Sequence, residues 1–275
     1  MAIQNSCKEF IRILEKCKSL VDLRFSATRV GKDGSDLLSS AFELSLTEGN
    51  NPNLERLDFC DNNFANQASH HALFRALGGT KCLTHLNLSE CDMEDDGVAK
   101  VCHGLSESDS ALEYLNLSGN GIEKKGAKHI ADWIRGCGGQ LKVLLLDDNE
   151  LTSKGAVHIA SAFHGSEDGH SIEEIQLNSC LIGAIGARAL IDAFGPEGRD
   201  LPNLTKIHLN TNSFSDDVLG ELEVAFDDKL GDLKDNDSDG DADDDLSEDE
   251  EEDETEAAAI GVDDLSAAMD KSLVV

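Results

Sequence analysis

No two of the eight cysteines in this 275-residue chain form a Cys-x-x-Cys pair, and that absence removes the usual spacing of a structural zinc site. Cationic side chains are scarce: 23 Lys and Arg stand against 55 Asp and Glu, a net charge of −32. A field of that sign repels phosphate backbones, so no nucleic-acid partner is expected and a basic protein partner fits better. No run near Met1 joins a cationic start to an apolar stretch, and no segment approaches the roughly 18 apolar residues of a membrane span. Neither a signal peptide nor membrane insertion is therefore expected. Catalytic signatures are missing as well, since no His-Glu-x-x-His, Walker or Gly-x-Ser-x-Gly pattern occurs. With no nucleophile and base in view, self-contained catalysis, a metal and a cofactor are all unexpected.

What the chain does have is a repeat. An apolar residue stands at offsets 0, 3 and 5, then Asn, Cys or Thr at offset 8, then another apolar residue at offset 10. The copies begin at Leu20, Leu54, Leu83, Leu112, Leu141, Ile172 and Leu204. This is the leucine-rich repeat signature. Offsets 0, 3 and 5 read as the inward side chains of a short strand. Offset 8 holds Thr28, Asn62, Cys91, Asn120, Asn149, Cys180 and Asn212, small polar groups able to satisfy backbone where the chain leaves the strand.

A column of small residues follows at offset 14, with Gly34, Ala68, Gly97, Gly126, Gly155 and Gly186, closed by Val218. Small side chains there let a helix start close to the strand layer. Apolar pairs at offsets 18 and 22, such as Leu38 with Phe42 or Ile130 with Ile134, have the i, i+4 spacing of one buried helical face. Each unit of about 29 residues thus contains a strand, a turn and a full helix. The expected fold is an α/β leucine-rich repeat solenoid, a horseshoe with parallel concave strands and convex helices, and its default mode of action is to grip another macromolecule. Extra residues after helices, at 44–53, 165–170 and 195–201, read as surface loops.

The organisation expected is an orphan helix over residues 1–19, seven repeats over 20–226 and a disordered acidic tail over 227–275. Phe10 and Leu14 have helix spacing without a strand before them, so the array is expected to lack its beginning. The tail holds 21 Asp and Glu against 3 Lys, 18 of the 32 net negative charges, and has too little apolar content for a core. Within it, Ile260, Leu265, Met269 and Leu273 have the spacing of a weak amphipathic helix. Asp235, Asp237, Asp239 and Gly240 open like an EF-hand loop, yet Leu246 stands where the bidentate Glu belongs, so no calcium site is assigned. The thiols read as reduced and structural, with Cys91 and Cys180 in the offset-8 column and Cys102 on a buried helical face.

Candidate contact residues come from the concave surface and its rim. Offsets 4 and 6 give a polar, mostly uncharged face, from Arg24, Asp58 and Asn87 to Asn178 and Asn210. The strand-to-helix loops add Asp61, Asn63, Glu90, Asp92, Asp148 and Glu150, an acidic ridge suited to a basic partner.

The phrases SATRVGKDGSDLL, LERLDFCDNNF, LEYLNLSGNGIEKKGAKHIA and LLLDDNELTSKGAVHIA, followed by the Asp/Glu tail, resemble a Ran GTPase-activating protein of the plant and algal type. The likeness runs from about Ser6 to Glu256. It implies a monomeric horseshoe that binds the small GTPase Ran in its GTP form through strand-to-helix loops, in the cytoplasm and near the nuclear envelope. In that family an asparagine of an early repeat orients the GTPase's own glutamine and no arginine finger is used, which discounts Arg29. That repeat lies upstream of the segment aligned from Ser6 onward, so no catalytic residue is carried over. The alternative reading is a non-enzymatic acidic leucine-rich scaffold for basic proteins such as histones; a broader one, a generic adaptor array, predicts no acidic tail.

Overall fold

The computed structural model describes residues 16, 19–27, 53–65, 67–164, 170–195 and 201–236. Phe10, Leu14, Thr28, Arg29, the pair Leu38 and Phe42, most of the three inter-repeat loops and everything from Asp237 onward, the calcium-like stretch included, lie outside them. Seven strands form one parallel sheet in chain order: β1 (Asp22–Arg24), β2 (Arg56–Asp58), β3 (His85–Asn87), β4 (Tyr114–Asn116), β5 (Val143–Leu145), β6 (Glu174–Gln176) and β7 (Lys206–His208). Between and after them lie α1 (Gln67–Gly78), α2 (Glu94–Glu107), α3 (Lys124–Cys137), α4 (Thr152–Ser161), α5 (Ala184–Phe194) and α6 (Asp216–Phe226). This is the open solenoid architecture that the repeat spacing predicts.

Each strand is three residues long and buries only its middle one. The register aligns those middle residues, so Leu23, Leu57, Leu86, Leu115, Leu144, Ile175 and Ile207 form one inward row. Helix pairs at offsets 18 and 22, including Val101 with Leu105 and Leu222 with Phe226, close the core from the other side. In α1 the buried leucines are Leu73 and Leu77, one position later than the template, beside Ala72 and Ala76. The offset-14 glycines are needed for close approach. A Cβ on Gly186 would stand 2.6 Å from Ile182 Cγ2 and 3.0 Å from the Ser153 Cα of the preceding repeat.

The offset-8 column ties neighbouring repeats together. Asn120 donates Nδ2 to the carbonyls of Leu88 and Leu117, both at 2.9 Å, while its Oδ1 accepts from the amides of Cys91 at 3.1 Å and Met93 at 3.3 Å. Asn149 and Asn212 repeat this pattern one and three repeats later. Cysteine does half of the same job. The Cys91 thiol donates to the Phe59 carbonyl at 3.2 Å and that of Cys180 to the Leu146 carbonyl at 3.2 Å, while the sulfurs face the backbone amides of Asn62 and Asn149 only as weak acceptors.

The array continues past the boundary set at Phe226. Leu230 bridges Ile207 in parallel, the Gly231 amide donates to the Ile207 carbonyl at 2.8 Å, and Asn236 Oδ1 accepts the Asn212 amide at 2.7 Å. Residues 227–236 are thus the closing edge of the solenoid and not the start of the acidic tail. The reading stopped short because five residues lie between Leu230 and Asn236, where the template has four between offsets 3 and 8.

Two measurements follow from the column. Asn120→Ala strands the Leu88 carbonyl and two amides in the core, Leu117 keeping its bond from Asn149, and is expected to lower unfolding free energy by about 3 kcal/mol, against about 1 kcal/mol for Cys91→Ala, read by urea denaturation. Burial also pushes the thiols of Cys91, Cys102 and Cys180 up to about 12, so they stay neutral at pH 8 and are shielded. Mass spectrometry after thiol alkylation is expected to find exposed Cys82 modified and these three modified only after unfolding. Stability held by the neutral thiols is full below the ordinary pKa of 9.0 and falls as pH rises toward 12.

Candidate protein-binding ridge and concave face

The ridge is built by backbone conformation. At offset 7, just after each strand, Ala27, Asp61, Glu90, Gly119, Asp148, Ser179 and Thr211 all have φ between 53° and 67°. This left-handed residue turns the chain out of the sheet, and it favours glycine or a short polar side chain. Asp61, Glu90 and Asp148 sit at these turns, while Asn63, Asp92 and Glu150 follow at offset 9. All except half-buried Asn63 are exposed.

The structure therefore sets the six predicted residues along one edge of the sheet, in repeats 2, 3 and 5. It brings two of them into direct contact: Asn63 Nδ2 donates to Asp92 Oδ2 at 2.9 Å. Glu90 reaches over repeat 4, where a Cβ on Gly119 would stand 2.9 Å from Glu90 Oε2. Gly119 and Gly121 interrupt the acidic row at that repeat, and Gly119 leaves space for the neighbouring carboxylate. Asp148 and Glu150 belong to a separate stretch of ridge beyond that gap.

The concave face carries more than the offset-4 and offset-6 reading contains. Offset 2 also faces outward, and there His85 stacks on Tyr114 with ring centroids 5.7 Å apart and planes 18° apart. Thr84 Oγ1 lies 2.8 Å from His85 Nδ1. Burial pushes the His85 imidazole down and the Tyr114 phenol up, so both rings are held neutral. Val143 and Leu145 extend this patch into the next repeat, half-buried like the rings. Two ring-bearing residues at the same offset in successive repeats are the sequence signal that marks it.

Polar bonding on this face changes mode halfway along. In repeats 2 to 4 the offset-6 amide bonds back to the offset-4 side chain of its own strand, Cys60 to Asp58, Ser89 to Asn87 and Ser118 to Asn116, at 3.0 to 3.1 Å. From Leu145 onward the offset-6 side chains bond forward between repeats instead. Asp147 Oδ1 accepts the Asn178 amide at 2.7 Å, Asn178 Oδ1 accepts the Asn210 amide at 2.7 Å, and Asn210 Oδ1 accepts the Asp235 amide at 3.0 Å. Burial pushes the Asp147 carboxyl up, opposed by the Asn178 amide hydrogen bond. Among the described residues no three His, Cys, Asp or Glu side chains gather into a metal-binding set, and no described helix is long and apolar enough to cross a membrane.

Residues 81–102 and 110–131, which fall in repeats 3 and 4, match the family described as Leucine Rich repeat. No curated protein matches the chain. Among solved structures, a Bacteroides fragilis protein is similar at 17% identity and a TM-score of 0.46, covering 82% of this chain and 68% of that one. A chain of the yeast Rad7 and Elc1 complex is similar at 13% identity and a TM-score of 0.37, covering 82% of this chain and 65% of that one. Two repeats that match the family, set among seven parallel strands in a single register, make this chain a leucine-rich repeat solenoid built as a protein-binding scaffold.

Proposed function

We propose that this solenoid docks the small GTPase Ran in its GTP form through the strand-to-helix ridge, and that it acts as a GTPase activator or as the docking part of one. The observation that carries the reading is the exposed acidic row of Asp61, Glu90, Asp92, Asp148 and Glu150, on repeats whose phrases resemble that activator family. Carboxylates at a rim steer a basic partner into register and raise its on-rate. The hydrolytic machinery belongs to the partner, so the chain supplies a surface and no catalytic residue of its own. Its working place in this reading is the cytoplasm and the nuclear envelope.

The acidic tail supports a second reading, in which the partner is a basic protein such as a histone. Sixteen net negative charges in residues 237–275, from 17 Asp and Glu against one Lys, would hold such a partner largely by salt-sensitive attraction.

Single-turnover hydrolysis by Ran loaded with GTP, with and without the purified chain, tests the first reading. Faster hydrolysis is the expected result, and binding without acceleration would reduce the claim to docking. Absence of both would reject it. The ridge itself is tested by Asp61→Lys combined with Asp92→Lys, expected to weaken Ran binding about tenfold or more through the on-rate. For histones, binding that survives neutralising the tail's carboxylates would remove the tail-driven reading.

A further inference from the structure

Helices α3 to α5 together carry a net positive charge, opposite in sign to the chain as a whole. Successive repeats place Lys125, Lys154 and Ile185 at offset 13 and Lys128, Val157 and Arg188 at offset 16. These rows cross α3, α4 and α5, which pack side by side in that order. Val157 and Ile185 are each 37% exposed, two of the five large apolar side chains exposed among the described residues. Helix α4, Thr152–Ser161, contains no carboxylate. The carboxylates on α3 and α5 are Asp132, which pairs with Arg135 at 2.9 Å, and Asp192. Glu221 of α6 binds Arg188 at 2.9 Å at the edge of the face. His158, between the rows, is pushed down by burial first and then by the Lys128 cation, against the opposing pull of Asp132.

We propose that this outer face of α3 to α5 docks an acidic amphipathic segment of a protein partner. Its carboxylates would meet Lys125, Lys128 and Lys154, and its apolar side chains would cover Val157 and Ile185. Apolar contacts ringed by cations select an occupant that alternates apolar and anionic groups. The dimensions agree. Helix axes lie about 8–10 Å apart, so the face is about 20 Å wide, and four turns of a bound helix span about 22 Å.

An extended polyanion is disfavoured, because a duplex or a lipid surface samples the field of the whole chain, which is −32. A short peptide at physiological salt samples about 8 Å around itself, and so only the positive face. The ridge residues Asp61 and Asp92 belong to repeats 2 and 3 and this face to repeats 4 to 6, so the inference can be tested apart from the Ran reading.

The test uses the full chain and a fluorescein-labelled peptide of four Glu-Glu-Leu-Leu units, followed by anisotropy in a buffer of physiological ionic strength. Saturable binding is expected. Lys125→Glu with Lys128→Glu should weaken it about tenfold or more, and Val157→Ser about threefold, with urea midpoints close to the parent chain. The Asp61→Lys, Asp92→Lys ridge variant should bind the peptide as the parent does. No saturable binding would overturn the proposal, as would an affinity that neither the lysine nor the valine variant changes. Tighter binding of phosphatidylserine vesicles or duplex DNA through the same lysines would also overturn it, by assigning the face to another class of partner.

Discussion

Seven strands of three residues each cannot hold a sheet by ladder bonds alone, and the side chains at offset 8 supply what the strands lack. Asn120, Asn149 and Asn212 each reach back one repeat, covering a carbonyl at offset 5 and amides at offsets 8 and 10. These backbone groups lie where the chain turns out of the sheet, away from water and beyond the reach of the strand pairing. Leaving one unpaired costs about 1–3 kcal/mol. The column therefore adds to the backbone bonds between neighbouring strands, and the two together turn the repeats into one body. Cysteine at Cys91 and Cys180 keeps the carbonyl contact and meets the offset-8 amide with a weaker acceptor, so the joint from each of those repeats to the one before it rests more on packing.

The same constraint explains how much of the fold was legible. Positions that repeat with a fixed period, such as the inward row from Leu23 to Ile207 or the glycines from Gly97 to Gly186, are dictated by local geometry and can be read directly. The closing edge was not legible, because Leu230 and Asn236 take the roles of offsets 3 and 8 with one residue too many between them. A short segment rich in Asp, Leu230 and Leu233 apart, reads as tail by composition. Its fold depends on hydrogen bonds to Ile207, Asn210 and Asn212, which composition does not encode.

The site divides in the same way. Placement of the ridge residues followed from the template, since offsets 7 and 9 always fall on the turn that the left-handed residue creates. What the template did not contain is interaction between repeats: the Asn63 to Asp92 hydrogen bond, the reach of Glu90 over Gly119, and the stacked rings of His85 and Tyr114. Each joins residues about 29 positions apart, and each depends on which side chains happen to be neighbours in consecutive units. A repeat ruler finds rows, but chemistry along a row needs the register between strands.

Charge is sorted by surface in a way that the net value conceals. Exposed carboxylates line the ridge, while lysines and arginines collect on the outer face of α3 to α5. At physiological salt the two surfaces are screened from each other beyond about 8 Å, so each meets its surroundings as an independent field. That independence requires a rigid body between them, or the surfaces would collapse together by attraction. The solenoid core, tied repeat to repeat through the offset-8 column, supplies the rigidity. The interaction that makes the repeats cohere is therefore also what lets one narrow chain present two electrostatic faces at once.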